Sequence, residues 1–84
     1  MIYNIQPINM TFGTTTNVLT QIEMFITYQP GMVQMFVPYN LATAEGVIYW
    51  SGQVLINEEE LQQWGEDDYY IVALVASKAE VTIL

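Results

Sequence analysis

Apolar and polar residues alternate with a period of two through the first two-thirds of the chain, then change to helical spacing. Ile8, Met10 and Phe12 alternate with Asn9 and Thr11, so residues 1–12 predict a half-buried strand. Pro7 has no N–H for a ladder and marks an edge, a bulge or a break. After a turn region at residues 13–17, a longer strand is predicted over 18–28. Ile22, Met24, Ile26 and Tyr28 fall on one face of it, and Gln21, Glu23, Phe25 and Thr27 on the other. Gln29-Pro30-Gly31-Met32 has the chemistry of a type II turn, which would pair 18–28 with 32–39 as a hairpin. In that returning strand Val33, Met35, Val37 and Tyr39 alternate with Met32, Gln34, Phe36 and Pro38. Both faces are apolar, as in a strand covered on both sides. Residues 40–46 read as a loop. A fourth strand follows over 47–56, where Gly52 marks a bulge or a close approach by another backbone.

Residues 50–79 then carry two helix starts in succession. Asn57 is an N-cap whose side-chain oxygen can accept first-turn N–H groups, and Glu60, three residues on, completes a capping box. Ile56 and Leu61 are spaced for a hydrophobic staple. Glu58, Glu59 and Glu60 sit where the helix dipole favours negative charge. A first helix is therefore expected over 58–64, with Trp64 just inside its end and Gly65 at a left-handed C′ position. Glu66, Asp67 and Asp68 repeat the acidic start for a second helix over 67–78. Ile71, Leu74, Val75 and Lys78 share one face of it, with Tyr70, Ala73 and Ser77 alongside.

Strands first and helices last predict an α+β domain. An antiparallel meander of about four strands is followed by two short helices packed on one face. Within the single domain, residues 1–17 form an N-terminal arm or edge strand, 18–56 the sheet, 57–79 the helices, and 80–84 a closing strand or tail.

Composition narrows the chemistry. A formal charge of −8, one lysine and no arginine argue against nucleic-acid binding and against docking on anionic lipid. There is no cysteine or histidine, so thiolate sites and the commonest zinc ligands and general bases are missing. The acidic triplets Glu58–Glu59–Glu60 and Glu66–Asp67–Asp68 are the only candidates for acid–base work or a hard cation. At exposed helix starts they are expected to stay ionised and to serve as caps. No catalytic, cofactor or metal residue is assigned, and no enzyme is expected.

The apolar share, 52% against 12% charged, exceeds what 84 residues can bury by themselves. An apolar surface is therefore expected to meet another chain. Phe25, Met32, Gln34 and Phe36 on strand faces, with Tyr3 in the N-terminal arm, are the candidate partner interface. Trp50, Asn57, Glu60, Trp64, Gly65, Asp67 and Asp68 are expected to maintain the strand–helix junction. Trp50, Trp64, Tyr69 and Tyr70 are expected to form one aromatic wedge between sheet and helices.

Ser51-Gly52-Gln53-Val54-Leu55-Ile56, the following Glu58-Glu59-Glu60-Leu61, and Trp64-Gly65-Glu66-Asp67-Asp68 before an apolar helix resemble a pattern in small proteins of tailed bacteriophages. The Tyr28–Gly31 turn and the Ile48-Tyr49-Trp50 strand are also similar. The resemblance covers about two-thirds of the chain, and the first seventeen residues carry little of it. It implies a non-enzymatic virion protein (tail, baseplate, fibre or capsid accessory) assembled in the host cytoplasm. Its expected partners are other structural proteins, in a homo- or hetero-oligomer. The alternative is an acidic inhibitor that imitates a polyanion and binds a basic host protein.

Overall fold

In a computed structural model, which describes residues 1–29, 31–65 and 67–84, four strands precede two helices. They are β1 (Ile2–Phe12), β2 (Thr15–Met24), β3 (Met35–Ala42), β4 (Ile48–Ile56), α1 (Glu58–Gln63) and α2 (Tyr69–Lys78). The strands form one antiparallel sheet in the order β1-β2-β3-β4. Both helices lie at the C-terminal end of the chain, and the fold is α+β as the pattern predicts.

β1 and β2 join through Gly13-Thr14. Gly13 has φ +62° and Thr14 is outside the positive-φ region, the arrangement of a II′ hairpin turn. Farther along β1, Ile5, Gln6 and Pro7 stand opposite Thr20 alone, because Asn4 pairs with Gln21 and Ile8 with Leu19. The break expected at Pro7 is thus a bulge. On the outer edge of the bulge, Gln6 N–H donates to Thr82 O at 2.8 Å and Leu84 N–H to Asn4 O at 3.0 Å. The C-terminal segment closes this edge and helps to bury Ile5.

The middle of the sheet departs from expectation. β2 ends at Met24 rather than at 28, β3 starts at Met35 rather than at 32, and only Gln21–Met24 pairs with Tyr39–Ala42. A turn bond from Met32 N–H to Gln29 O (3.2 Å) and φ +89° at Gly31 are present. The type II assignment also needs Pro30, which lies outside the described residues. The strand ends early because the chain turns toward the helices. Ile26 packs on the core, and Tyr28 stands edge-on to Trp64, ring centroids 5.1 Å apart.

β3 and β4 pair from Met35↔Ile56 to Leu41↔Trp50, then slip so that Ala42 meets Ile48. The slip leaves Tyr49 unpaired and turns Ile48 to the opposite face from Trp50. The feature expected at Gly52 is a close approach by a ring rather than by backbone. A methyl group there would lie 2.7 Å from Tyr39 Oη and 2.8 Å from Tyr39 Cζ.

One face of the sheet carries the core: Ile5, Leu19, Ile22, Met24, Met35, Val37, Val54 and Ile56. Ile71, Val72, Val75 and Ala76 of α2 cover it. This is a correction to the expected helix face. Leu74 is only half-buried and Lys78 is exposed, because the i, i+4 pairs 71/75 and 72/76 straddle the contact line. α2 starts at Tyr69, two residues later than expected. It ends in a Schellman motif: Val81 N–H donates to Ala76 O (3.0 Å) and Glu80 N–H to Ser77 O (3.1 Å), with Glu80 at φ +61°.

The molecule measures 46 × 22 × 17 Å with a radius of gyration of 13.9 Å, against about 12 Å for a compact chain of this length. The excess comes from the β1–β2 hairpin, whose tip runs beyond the last β2–β3 pair. Phe12 near that tip stacks on Tyr49 of β4 at 6.0 Å. In a flat sheet β1 and β4 would lie ~14 Å apart, so the hairpin must curl over the helix-bearing face.

Two substitutions test these backbone constraints by urea unfolding. Glu80→Gly relieves a left-handed non-glycine residue and is expected to stabilise by about 1 kcal/mol. Gly52→Ala is expected to destabilise by ~1–3 kcal/mol through the clash with Tyr39. Combined with Tyr39→Val it should cost less than the sum of the two single changes.

Candidate interaction surface

The second face of the sheet has no layer over it among the described residues. Its rows follow from the register: Phe36 beside Leu55, Pro38 beside Gln53, Asn40 beside Ser51, Ala42 beside Ile48, and Ile2 beside Glu23. β3 is therefore covered on one face only, a correction to the expectation that both would be covered. Phe36 is 51% exposed and Leu55 41%. Phe25, 46% exposed, follows β2 and donates its N–H to Pro38 O at 3.0 Å, which places it on the same corner. Across the sheet, Ile2, Gln21, Glu23, Asn40, Ala42, Gly46 and Ile48 line a shallow depression of about 140 Å³. The middle is polar, with Ser51 Oγ donating to Asn40 Oδ1 at 2.7 Å.

Two of the five predicted interface residues lie elsewhere. Tyr3 points to the helix-bearing face and packs against the core. Met32 also packs on the core, with its sulfur accepting the Gln29 N–H at 3.1 Å. Gln34 is exposed in the bend before β3. Phe25 and Phe36 share a corner with Leu55, a residue that pattern reading assigned to the strand but not to the surface. Its register beside Phe36 is a tertiary fact.

On the helix-bearing face, a groove of about 300 Å³ opens beyond the end of α2. Ile8, Met10, Leu41 and Trp50 line its sheet side, and Lys78 to Val81 line the other. Trp50 is 50% exposed here. The single aromatic wedge is therefore not formed: α2 is too short to reach Trp50 and cover it. Trp64 lies at the helix junction against Tyr28, its buried indole Nε1 without an acceptor among the described residues. Tyr70 donates from its hydroxyl to Glu60 O at 3.2 Å, and Tyr69 is exposed.

The capping box is present in both directions. Glu60 N–H donates to Asn57 Oδ1 (2.9 Å), and Asn57 N–H donates to Glu60 Oε1 (3.0 Å). Gly65 does not take the left-handed conformation. α1 stops at Gln63 because Trp64 turns extended, φ −75° and ψ 112°, with its N–H on Leu61 O. At the next start Asp67, not Asp68, makes the side-chain cap, accepting the Tyr69 N–H at 3.0 Å. Glu66 lies outside the described residues.

Lys78 Nζ donates to Glu60 Oε1 at 2.9 Å and ties the end of α2 to the start of α1. This hydrogen bond, then the one from the Asn57 backbone, holds the Glu60 carboxyl below the ordinary glutamate value. A lowered carboxyl suits a cap and not a general acid at neutral pH. Among the described residues, no three acidic side chains gather into a metal-binding group. Charge is segregated: β2 has Glu23, the β3–β4 loop has Glu45, and the other acidic residues lie from Glu58 onward.

Comparison of the chain with protein-family models, with curated proteins and with solved structures gives no match.

Because the folded Glu60 value lies below the unfolded one, its contribution to stability is full at neutral pH. It is lost as pH falls through the folded value. Glu60→Gln should therefore be less stable than the parent at pH 7 by up to ~1 kcal/mol, as befits an exposed pair. Urea unfolding of both proteins should converge once the pH is well below the ordinary glutamate range.

Proposed function

We propose that this protein is a non-enzymatic assembly component of a tailed-phage particle, acting through protein–protein contacts of its sheet. The observation that carries this reading is the uncovered sheet face with Phe25, Phe36 and Leu55 exposed on one corner. Apolar side chains of this size, unopposed by charge, are what an interface core is made of. The phage setting rests on the resemblance of residues 51–76, supported by an acidic helical end that keeps the sheet face as the natural contact.

The segregated acidity favours the alternative of a polyanion mimic, with Glu58, Glu59, Asp67 and Asp68 presented to a basic groove. Salt separates the two. Apolar sheet contacts should hold between 50 and 500 mM NaCl, whereas binding through carboxylates should weaken steeply.

Mass spectrometry of purified particles is expected to find the chain in multiple copies. Phe25→Ser/Phe36→Ser, folded by circular dichroism, should be depleted from particles at least tenfold. Absence of the parent chain from particles would refute the proposal.

A further inference from the structure

We infer that β4 is a self-pairing edge, and that two copies of this chain join β4 to β4 about a two-fold axis near Gly52, continuing the sheet to eight strands. The inference deepens the assembly reading and rests on it. It adds a partner, a second copy of the chain, and a place, the edge rather than the face.

β4 ends the sheet order, so one side of its backbone has no ladder partner among the described residues. Unpaired N–H and C=O groups in a row select one kind of occupant, another extended strand. Edges that must stay free are usually guarded by a charge, a proline or extreme shortness. Ile48–Ile56 has nine residues, no charged side chain and no proline; a bulge at Tyr49 interrupts it, and Trp50–Ile56 beyond the bulge pairs regularly. The opposite edge differs, because β1 has Pro7 and a bulge and the C-terminal segment lies along it.

The strand also matches itself when reversed. Antiparallel pairing centred on Gly52 sets Ser51 against Gln53 and Trp50 against Val54, and the bulge at Tyr49 ends the match there. Polar meets polar and apolar meets apolar in both rows. Trp50, half exposed in the single chain, gains a neighbour. An isologous contact requires this self-complementarity, which a heterologous partner would not.

Charge favours the same arrangement. Two chains of −8 repel, yet the edge itself is neutral, and reversal sends the two Glu58–Glu60 clusters to opposite ends. They would be ~40 Å apart along the strands, against a screening length of ~8 Å at physiological salt. The like charges that the register brings nearer are Glu45 of one copy and Glu59 of the other. Added salt should therefore tighten the dimer.

Sedimentation equilibrium of the full chain tests this from 1 to 200 μM, in 50 and 500 mM NaCl. The expected result is a species of twice the 9.6 kDa monomer mass, with a dissociation constant that falls as salt rises. Ser51 and Gln53 are exposed, so Ser51→Lys/Gln53→Lys and Ser51→Glu/Gln53→Glu should fold normally by circular dichroism. Each alone should be at least tenfold weaker in self-association, and an equimolar mixture of the two should dimerise again. A parent that stays monomeric to 200 μM overturns the inference, as does a dimer that both double variants leave intact. Either result leaves the sheet-face reading untouched, because that reading is judged by Phe25→Ser/Phe36→Ser in particles.

Discussion

The fold hangs on one contact, the seating of α2 across the inner face of the sheet. Ile71, Val72, Val75 and Ala76 are almost fully shielded, and they meet Ile22, Met24, Met35, Val37, Val54 and Ile56 from β2, β3 and β4. Burial of side chains of this size contributes roughly 1.5–3 kcal/mol each. A curled four-stranded sheet has no second layer to fall back on. α1 is only six residues long and has no fully buried residue of its own. Its part is to bring the chain from the end of β4 round to α2, which the capping box and the Lys78–Glu60 pair accomplish with exposed groups.

A two-layer molecule of this kind leaves one sheet face open by construction. What distinguishes this one is where charge has been placed. The strands carry almost none, and the acidic residues collect at helix starts, where backbone N–H groups stabilise them. The same arrangement leaves the strands almost free of charge. Phe36 and Leu55 on the face, and Trp50 beside the α2 groove, are large rings and branched chains held by strands, and Phe25 stands just past the end of β2. Such anchors lose little entropy on contact.

The aromatic residues show how sequence neighbours separate in the fold. Trp64 and Tyr70 secure the helix junction, whereas Trp50, only fourteen positions before Trp64, lies at the far end of α2. β4 runs the length of the sheet between them. Tyr39 takes the space above Gly52 that a larger residue would fill, so the core closes through a ring laid over a glycine.

Local chemistry settled much of this protein in advance. Period-two alternation identified the four strands and their order, though not the slip that turns Ile48 away from the face of Trp50. Asn57 and Glu60 fixed the start of α1, and Pro7 marked the bulge in β1. Each is decided by a residue's own backbone demands or by neighbours within one turn. Only the tertiary structure decided where β2 ends, which residues of α2 face inward, and that Gly65 need not be left-handed. It also decided that Tyr3 and Met32 turn inward while Leu55 joins Phe36 on the surface. These depend on what lies across the sheet. The partner of an inward Ile22 or an outward Phe36 comes from a strand far away in sequence, and its register is set by the whole packed layer.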